Sequence, residues 1–173
     1  TLLISFYDIL FGFPAPVIFA LLLNEMRHIR FKKFVQTASY LPHFISTVVV
    51  AGMVLSFLRT DGLINSLYTL FGGTRTSFIN EPKYFDTIYI LTNIWISFGF
   101  DSILYLSAIS GIDPQLYESA RLDGASRLKQ MWYITLPSIL PTIAILLIMA
   151  IGGMIASNTD MILLLYNEAT YSK

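Results

Sequence analysis

The chain has 173 residues, of which 55% are hydrophobic and 13% charged, and its formal net charge is zero. Soluble domains carry about 25% charged residues, so this composition favours an integral membrane protein. The neutral charge gives no electrostatic basis for binding nucleic acid, and the lack of cysteine excludes disulfides and thiolate metal sites. The chain begins at Thr1 and ends in a polar stretch at Lys173, so we expect an internal fragment of a longer protein.

Four apolar segments are long enough to cross a bilayer, which takes about 20 helical residues. They are residues 2–23, 41–58, 87–110 and 138–157. Lipid offers no hydrogen-bond partner to an open backbone, so each segment is predicted to be helical. The fold class is therefore an all-α, multi-pass membrane protein. Pro14 and Pro16 predict a kinked or broken helix in the first span.

The basic residues of the connecting segments indicate the orientation of the chain. Links 24–40 and 111–137 share one side of the membrane and carry seven of the eleven basic residues: Arg27, Arg30, Lys32, Lys33, Arg121, Arg127 and Lys129. The positive-inside rule therefore predicts that these links are cytoplasmic. Residues 59–86 and 158–173 are expected outside, the former compact and irregular because of its Gly and Pro turn signals.

The link at residues 111–137 carries signals for two short helices. Asp113 is a good N-cap, Pro114 suits the first helical position, and Gly124 suits a left-handed residue after the helix end. A second helix is predicted to begin after Ser126 and to end at Leu136-Pro137. These residues alone leave two functions open, an amphipathic hairpin on the lipid headgroups and a docking element for a partner.

The spacing of residues in this link resembles the EAA loop of permease subunits in binding-protein-dependent ABC importers. The consensus is Glu-Ala-Ala, three residues, Gly, nine residues, Ile, one residue, Leu-Pro, and one position departs from it, a serine for alanine. The matching residues are Glu118, Ser119, Ala120, Gly124, Ile134, Leu136 and Pro137. Residues 41–46 and 62–65, together with Asp123 and Ala125 inside the loop, are similar to the carbohydrate branch of this family.

The resemblance implies a type I ABC importer permease core of about six spans, with the first and last spans absent from this chain. It implies that residues 111–137 couple the membrane domain to a cytoplasmic ABC ATPase dimer. ATP and Mg²⁺ would be bound by that dimer, and this chain would bind no cofactor. Glu118 would make a polar contact with the ATPase, and Ala120 and Gly124 would allow close packing. The other implied partners are a second permease subunit in a heterodimer, an extracytoplasmic solute-binding protein and the lipid of a bacterial inner membrane.

Polar residues within the spans are candidates for a sugar pathway, because ionisable groups at bilayer depth are costly and usually face a cavity. Asp101 stands among aromatic side chains, a pattern that suits sugar hydroxyls and ring faces. An interhelical hydrogen bond or an acid that faces the headgroups is the alternative. The candidate pathway residues are Asp8, Asn93, Trp95, Ser97, Asp101 and Tyr105. His43 is predicted to be interfacial.

Three rival functions remain. The same scaffold could import amino acids, peptides or an inorganic anion, and a non-transport membrane scaffold could use the loop for another partner. A membrane-embedded enzyme is disfavoured, because no predicted span holds Lys or His in its interior. We therefore assign no catalytic, cofactor-binding or metal-binding residue.

Overall fold

The computed structural model describes residues 2–153 and 159–165, and within these ranges the regular structure is helical. Ten α-helices follow one another in these two ranges: α1 Leu2–Tyr7, α2 Pro14–Glu25, α3 Ile29–Tyr40, α4 Thr47–Leu58, α5 Leu63–Leu70, α6 Pro82–Ser110, α7 Pro114–Leu122, α8 Arg127–Gln130, α9 Leu136–Gly152 and α10 Thr159–Leu165. Among the described residues, four helical stretches are long and apolar enough to cross a membrane: Ile4–Glu25, Thr47–Leu70, Pro82–Ser110 and Arg127–Gly152. The prediction of an all-α, multi-pass membrane protein is confirmed.

The long helix α6 contributes to both hydrophobic clusters of the fold. Near its beginning, Phe85, Tyr89 and Ile90 pack with residues of α4 and α10. Near its end, Tyr105 and Ile109 pack with residues of α2 and α9. Thus α6 is the common element against which the other spans are arranged.

The first span is interrupted as its prolines predict. A π-helical turn at Asp8–Gly12 joins α1 to α2, and Pro14 and Pro16 follow it directly. A π turn contains more residues than an α turn, and such turns occur where the regular hydrogen-bond ladder is broken. The turn therefore allows the prolines to remain inside a span.

The second span differs from its prediction, because residues 41–58 are not one continuous helix. A 3₁₀ turn at Leu41–Phe44 contains Pro42, and the next two residues have extended backbone before α4 begins at Thr47. The preceding link, predicted only as a connection, is largely the helix α3. Proline lacks the backbone N–H that would continue α3, which explains why α3 ends at Tyr40.

The connection after α4 was predicted to be irregular, and this prediction is wrong for residues 63–70, which form α5. The side chain of Asn65 is fully buried and supports this segment. Its amide donates to the carbonyls of Arg59 at 2.9 Å and Thr76 at 2.8 Å, and its oxygen accepts from the N–H of Thr76 at 2.9 Å. These three hydrogen bonds hold α5 against the segments before and after it. The Gly and Pro residues had suggested turns without a helix here.

The fourth span also begins earlier than predicted. Helix α8 continues through a π turn at Met131–Thr135 into α9, so Leu136-Pro137 does not end a helix. Pro137 lies in the first turn of α9 directly after the π turn, where a missing N–H is tolerated. The described helix ends at Gly152, and residues 154–157 of the predicted span lie outside the described residues.

The segment after the fourth span is not simply an exposed tail. Within the predicted external stretch 158–173, the described residues 159–165 form α10. Met161 is fully buried and Leu165 nearly so, and both pack in the cluster that contains Val50 and Ala51 of α4. Burial of apolar side chains removes them from water or lipid, so this helix is part of the core. Residues 166–173 of the predicted tail lie outside the described residues.

Candidate functional site

Helix α7 is capped at both ends by the residues that the sequence indicated. The carboxylate of Asp113 accepts a hydrogen bond from the N–H of Gln115 at 2.9 Å. At the other end Gly124 has a φ of 75°, and the N–H of Ala125 donates to the carbonyl of Ala120 at 2.8 Å. The N–H of Gly124 donates to the carbonyl of Arg121 at 3.0 Å. This pair of bonds is the Schellman motif, which closes a helix with a left-handed residue.

We call residues 113–127 the α7 corner, because the chain turns at Gly124 between α7 and the first residue of α8. A Cβ at Gly124 would have no atom within 4 Å, so the glycine is required by its φ and not by crowding inside this chain. Ser126 begins the next helix and accepts from the N–H of Lys129 at 3.4 Å. The corner is therefore a stiff element with a defined turn.

The outer side of the α7 corner is open. Glu118, Ser119, Asp123 and Gly124 are exposed, and the apolar side chain of Leu122 is 90% exposed. The remaining residues of the motif are partly buried, except for exposed Pro137: Ala120, Ala125, Ile134 and Leu136. This exposed side of the capped helix is the candidate contact surface for another protein.

The inner side of the α7 corner is attached to two spans. The hydroxyls of Tyr117 and Thr135 are hydrogen-bonded at 2.9 Å, and Thr135 is fully buried in the π turn that precedes α9. Arg127 donates to the carbonyl of Glu25 at 3.4 Å and lies 4.0 Å from its carboxylate, at the end of α2. A displacement of the corner would therefore act on the first and fourth spans together.

A cavity of about 260 Å³ lies between the first span, α6 and α9. Its lining brings together four of the predicted pathway residues, namely Asp8, Ser97, Asp101 and Tyr105. Asn93 reaches the same group, since its amide donates to the carboxylate of Asp8 at 3.5 Å. On a helix, positions four apart share a face, which explains why Asn93, Ser97, Asp101 and Tyr105 of α6 converge.

The cavity combines polar and aromatic surfaces. Ser97 is a hydrogen-bond partner of Asp101, and the ring of Phe13 meets that of Tyr105 edge to face, with centroids 6.5 Å apart. Among the described lining residues none is basic. Two carboxyl groups beside hydroxyls and ring faces can exchange hydrogen bonds with hydroxyl groups of a ligand.

Trp95 is not part of this cavity. It lines a separate apolar groove with residues of α4 and α5, including Phe57 and Ile64. Trp95 and Ser97 are two positions apart on α6, and residues at this spacing lie on opposite sides of a helix. The structure thus separates the tryptophan from the acids with which the sequence had grouped it.

His43 is a residue that the sequence reasoning missed as a neighbour of the cavity. Its ring stacks on Phe100 with centroids 3.9 Å apart and an interplanar angle of 1°. It also interacts electrostatically with Asp101. The available signal was a polar aromatic residue beside Pro42 in an otherwise apolar segment. The contact itself depends on the chain break before α4, which the sequence did not predict.

Comparison with known proteins identifies relatives along nearly the whole chain. The family model described as "Binding-protein-dependent transport system inner membrane component" matches residues 2–168. The chain is 46% identical over 168 residues to the polygalacturonan/rhamnogalacturonan transport system permease protein YteP of Bacillus subtilis (strain 168), covering 96% of this chain and 52% of that protein. It is 39% identical over 173 residues to protein LplB of the same organism, covering 99% and 54%.

A solved structure has the same arrangement of helices. It is the crystal structure of a bacterial ABC transporter involved in the import of the acidic polysaccharide alginate, with a TM-score of 0.95 and 47% identity over 98% of this chain and 60% of that chain. A second crystal structure with the same TM-score and identity contains that kind of transporter with an alginate pentasaccharide-bound periplasmic protein. The present chain spans about half the length of the two Bacillus relatives.

Proposed function

Because this chain belongs to the family of inner-membrane components of binding-protein-dependent transport systems, we propose that it forms part of the translocation pathway for oligosaccharides in an ATP-driven importer. The observation that carries the proposal is the α7 corner, a capped helix with an exposed outer side and hydrogen bonds to two spans. ATP hydrolysis is assigned to a separate cytoplasmic ATPase dimer. No catalytic role is assigned to this chain.

The proposed coupling follows from the attachments of the corner. The ATPase contacts the α7 corner at Glu118, Ala120 and Gly124, so closure of the ATPase dimer moves α7. The hydrogen bond of Tyr117 to Thr135 and the contact of Arg127 with Glu25 pass that displacement to the fourth and first spans. Those spans border the cavity that contains Asp8 and Asp101. Coupling of two sites requires such an element with discrete arrangements.

The partners and the orientation are part of the same proposal. A second permease subunit, different from this one, completes the pathway, and a solute-binding protein delivers the sugar from outside. The α7 corner lies in the cytoplasm and the chain in the inner membrane of a bacterium. The basic residues of links 24–40 and 111–137 support this orientation, and the periplasmic protein of the alginate complex supports the extracytoplasmic partner.

A saccharide cargo is favoured over amino acids or peptides. The names of the relatives refer to polygalacturonan, rhamnogalacturonan and alginate. The carboxylates, hydroxyls and aromatic rings of the cavity are also groups that hydrogen-bond sugar hydroxyls and cover sugar ring faces. A membrane scaffold without transport activity would not need the cavity.

The coupling role is tested with the charge reversal Glu118→Lys in the complete transporter. We expect loss of co-purification with the ATPase subunit, or retained assembly without substrate-stimulated ATP hydrolysis. Lys129→Glu is the matched control, because Lys129 is an exposed residue of α8 outside the motif. Normal assembly and normal stimulation in Glu118→Lys would contradict the proposed coupling contact.

The pathway is tested with Asp101→Asn, measured as the uptake of a labelled oligosaccharide. The KM is expected to rise about tenfold or more, because hydrogen bonds to a charged group contribute roughly 1.5–3 kcal/mol. Asp61→Asn is the control, since Asp61 pairs with Arg59 at 3.2 Å in an exposed salt bridge outside the cavity. An unchanged KM in Asp101→Asn would exclude this carboxylate from sugar binding.

A further inference from the structure

A second cavity, of about 340 Å³, lies where the end of α2 meets α7 and α8. Its charged lining residues come from three separate segments. Arg27 follows α2, Arg121 belongs to α7 and Arg127 begins α8, with Glu25 beside Arg127. We call this cavity the arginine pocket. None of the comparisons or motifs described above assigns it a role.

The arginine pocket carries an excess of positive charge. Three guanidinium groups face one carboxylate, and that carboxylate is 4.0 Å from Arg127. Within residues 2–153 and 159–165, neither Arg27 nor Arg121 has a carboxylate within 4.0 Å. Like charges held around one cavity repel each other, and a bound anion would relieve this repulsion.

The wall of the pocket is held in place by hydrogen bonds that do not involve the arginines. Tyr117 lines the pocket and is bonded to buried Thr135. Gln130 also lines it, is itself buried, and donates from its side chain to the carbonyl of Ala125 at 2.8 Å. Two of the lining side chains are therefore fixed without any contribution from the arginines.

The cavity that contains Asp8 and Asp101 and the arginine pocket differ in charge. The former presents two acidic residues without a described basic residue, whereas the arginine pocket presents three arginines. Guanidinium groups are planar and pair with carboxylate or phosphate through two parallel hydrogen bonds. We propose that the arginine pocket binds an oxyanion, either a carboxylate or a phosphate, between the first span and the α7 corner.

Two sources can supply this oxyanion, the carboxylate or phosphate of a soluble molecule and the phosphate of an anionic lipid. In either case the anion contacts both the end of α2 and the α7 corner, and it stabilises the packing of these two segments against each other. Binding to the pocket does not require the proposed transport role. Anion binding is measured by the thermal stability of the protein, whereas the transport role is measured by ATPase stimulation and by uptake. The two proposals can therefore fail separately.

The test uses the full-length protein with its partner subunits in nanodiscs of zwitterionic lipid. Inorganic phosphate and galacturonate are titrated at constant ionic strength, and thermal unfolding is followed. The double variant Arg27→Gln/Arg121→Gln is compared with wild type. The control is Arg30→Gln/Lys33→Gln, which removes the same charge from exposed positions of α3.

We expect at least one soluble anion to raise the Tm of wild type and control in a saturable manner. The half-saturating concentration should be about tenfold higher or more in Arg27→Gln/Arg121→Gln. The substitutions remove two guanidinium groups, and with them the charge-assisted hydrogen bonds that these groups would donate to the anion. If the double variant does not assemble, Arg121→Gln alone serves for the comparison. Stabilisation by phosphatidylglycerol nanodiscs alone, lost in the same variant, would support the pocket and identify lipid as the source. Equal responses of variant, control and wild type to both anions and to lipid would overturn the proposal.

Discussion

Gly99 determines how closely α3 can approach α6. A Cβ at this position would overlap the backbone carbonyl of Ser39, and both groups belong to helices whose positions are set by other contacts. The close approach also brings the 3₁₀ turn after α3 to α6, where His43 stacks on Phe100. The absence of a side chain at Gly99 thus allows the 3₁₀ turn to pack against α6.

Replacing Gly99 with alanine is expected to destabilise the protein by about 1–3 kcal/mol, because a backbone atom and not a flexible side chain would have to move. The measurement is thermal unfolding of the purified protein in detergent. Gly52→Ala in α4 is the control, since a Cβ there would have no atom within 4 Å. It should be neutral or stabilising by up to about 1 kcal/mol. An unchanged Tm in Gly99→Ala would mean that α3 does not pack on α6 in this way.

Residue-level predictions succeeded where the interaction is local. Asp113 and Gly124 could be assigned as caps because their hydrogen bonds reach residues only a few positions away. His43 could not be assigned, because its contact with Phe100 joins residues that are distant in sequence. The same distinction separates Ser97, which shares a helix face with Asp101, from Asp8, which meets Asn93 only through packing.

At the scale of elements, the coupling role proposed for the α7 corner depends on how the corner is attached to the spans. Tyr117 joins α7 to the π turn at Met131–Thr135, so the corner is connected to the point where the fourth span departs from regular α-helix. The sequence had predicted an independent second helix here. The continuous helix that the structure contains makes a more direct connection to the membrane.

Tyr117→Phe is expected to destabilise the protein by about 1–3 kcal/mol, because it leaves the buried hydroxyl of Thr135 without its partner. Thr135→Val removes the other hydroxyl with a side chain of similar shape. The double variant should cost less than the sum of the single variants, as a double-mutant cycle of thermal unfolding would measure.

Tyr133→Phe is the control for this cycle, since its side chain is 79% exposed. Additive effects of Tyr117→Phe and Thr135→Val would show that the two hydroxyls do not interact in solution. In the assembled transporter, Tyr117→Phe should also reduce the uptake per ATP hydrolysed if the bond carries the displacement of the corner.

At the scale of the whole molecule, the two hydrophobic clusters divide the fold along α6. One joins α6 to α4 and α10, and the other joins it to α2 and α9. The basic residues are biased to the side of the α7 corner. The proposed orientation follows from this bias, since the short basic links are retained in the cytoplasm.

The orientation is testable with single cysteines, because the chain itself contains none. Phe71→Cys and Leu128→Cys replace residues that are 89% and 65% exposed, in a full-length protein whose other cysteines are changed to serine. A membrane-impermeant maleimide should label Phe71→Cys in intact spheroplasts. It should label Leu128→Cys only in inverted vesicles or after permeabilisation. Labelling of Leu128→Cys in intact spheroplasts would reverse the proposed topology.

The sequence by itself determined the membrane class, the presence of four spans and the capping of α7. Each of these depends on composition or on hydrogen bonds within one turn of chain. Tertiary packing decided the break at Pro42, the burial of α10 and the continuation of a helix through Pro137. It also decided which side of α6 faces the cavity and brought Arg27, Arg121 and Arg127 to one pocket. The reason is that these features depend on contacts between distant segments, and the free energy of such contacts outweighs the local preferences of proline and glycine.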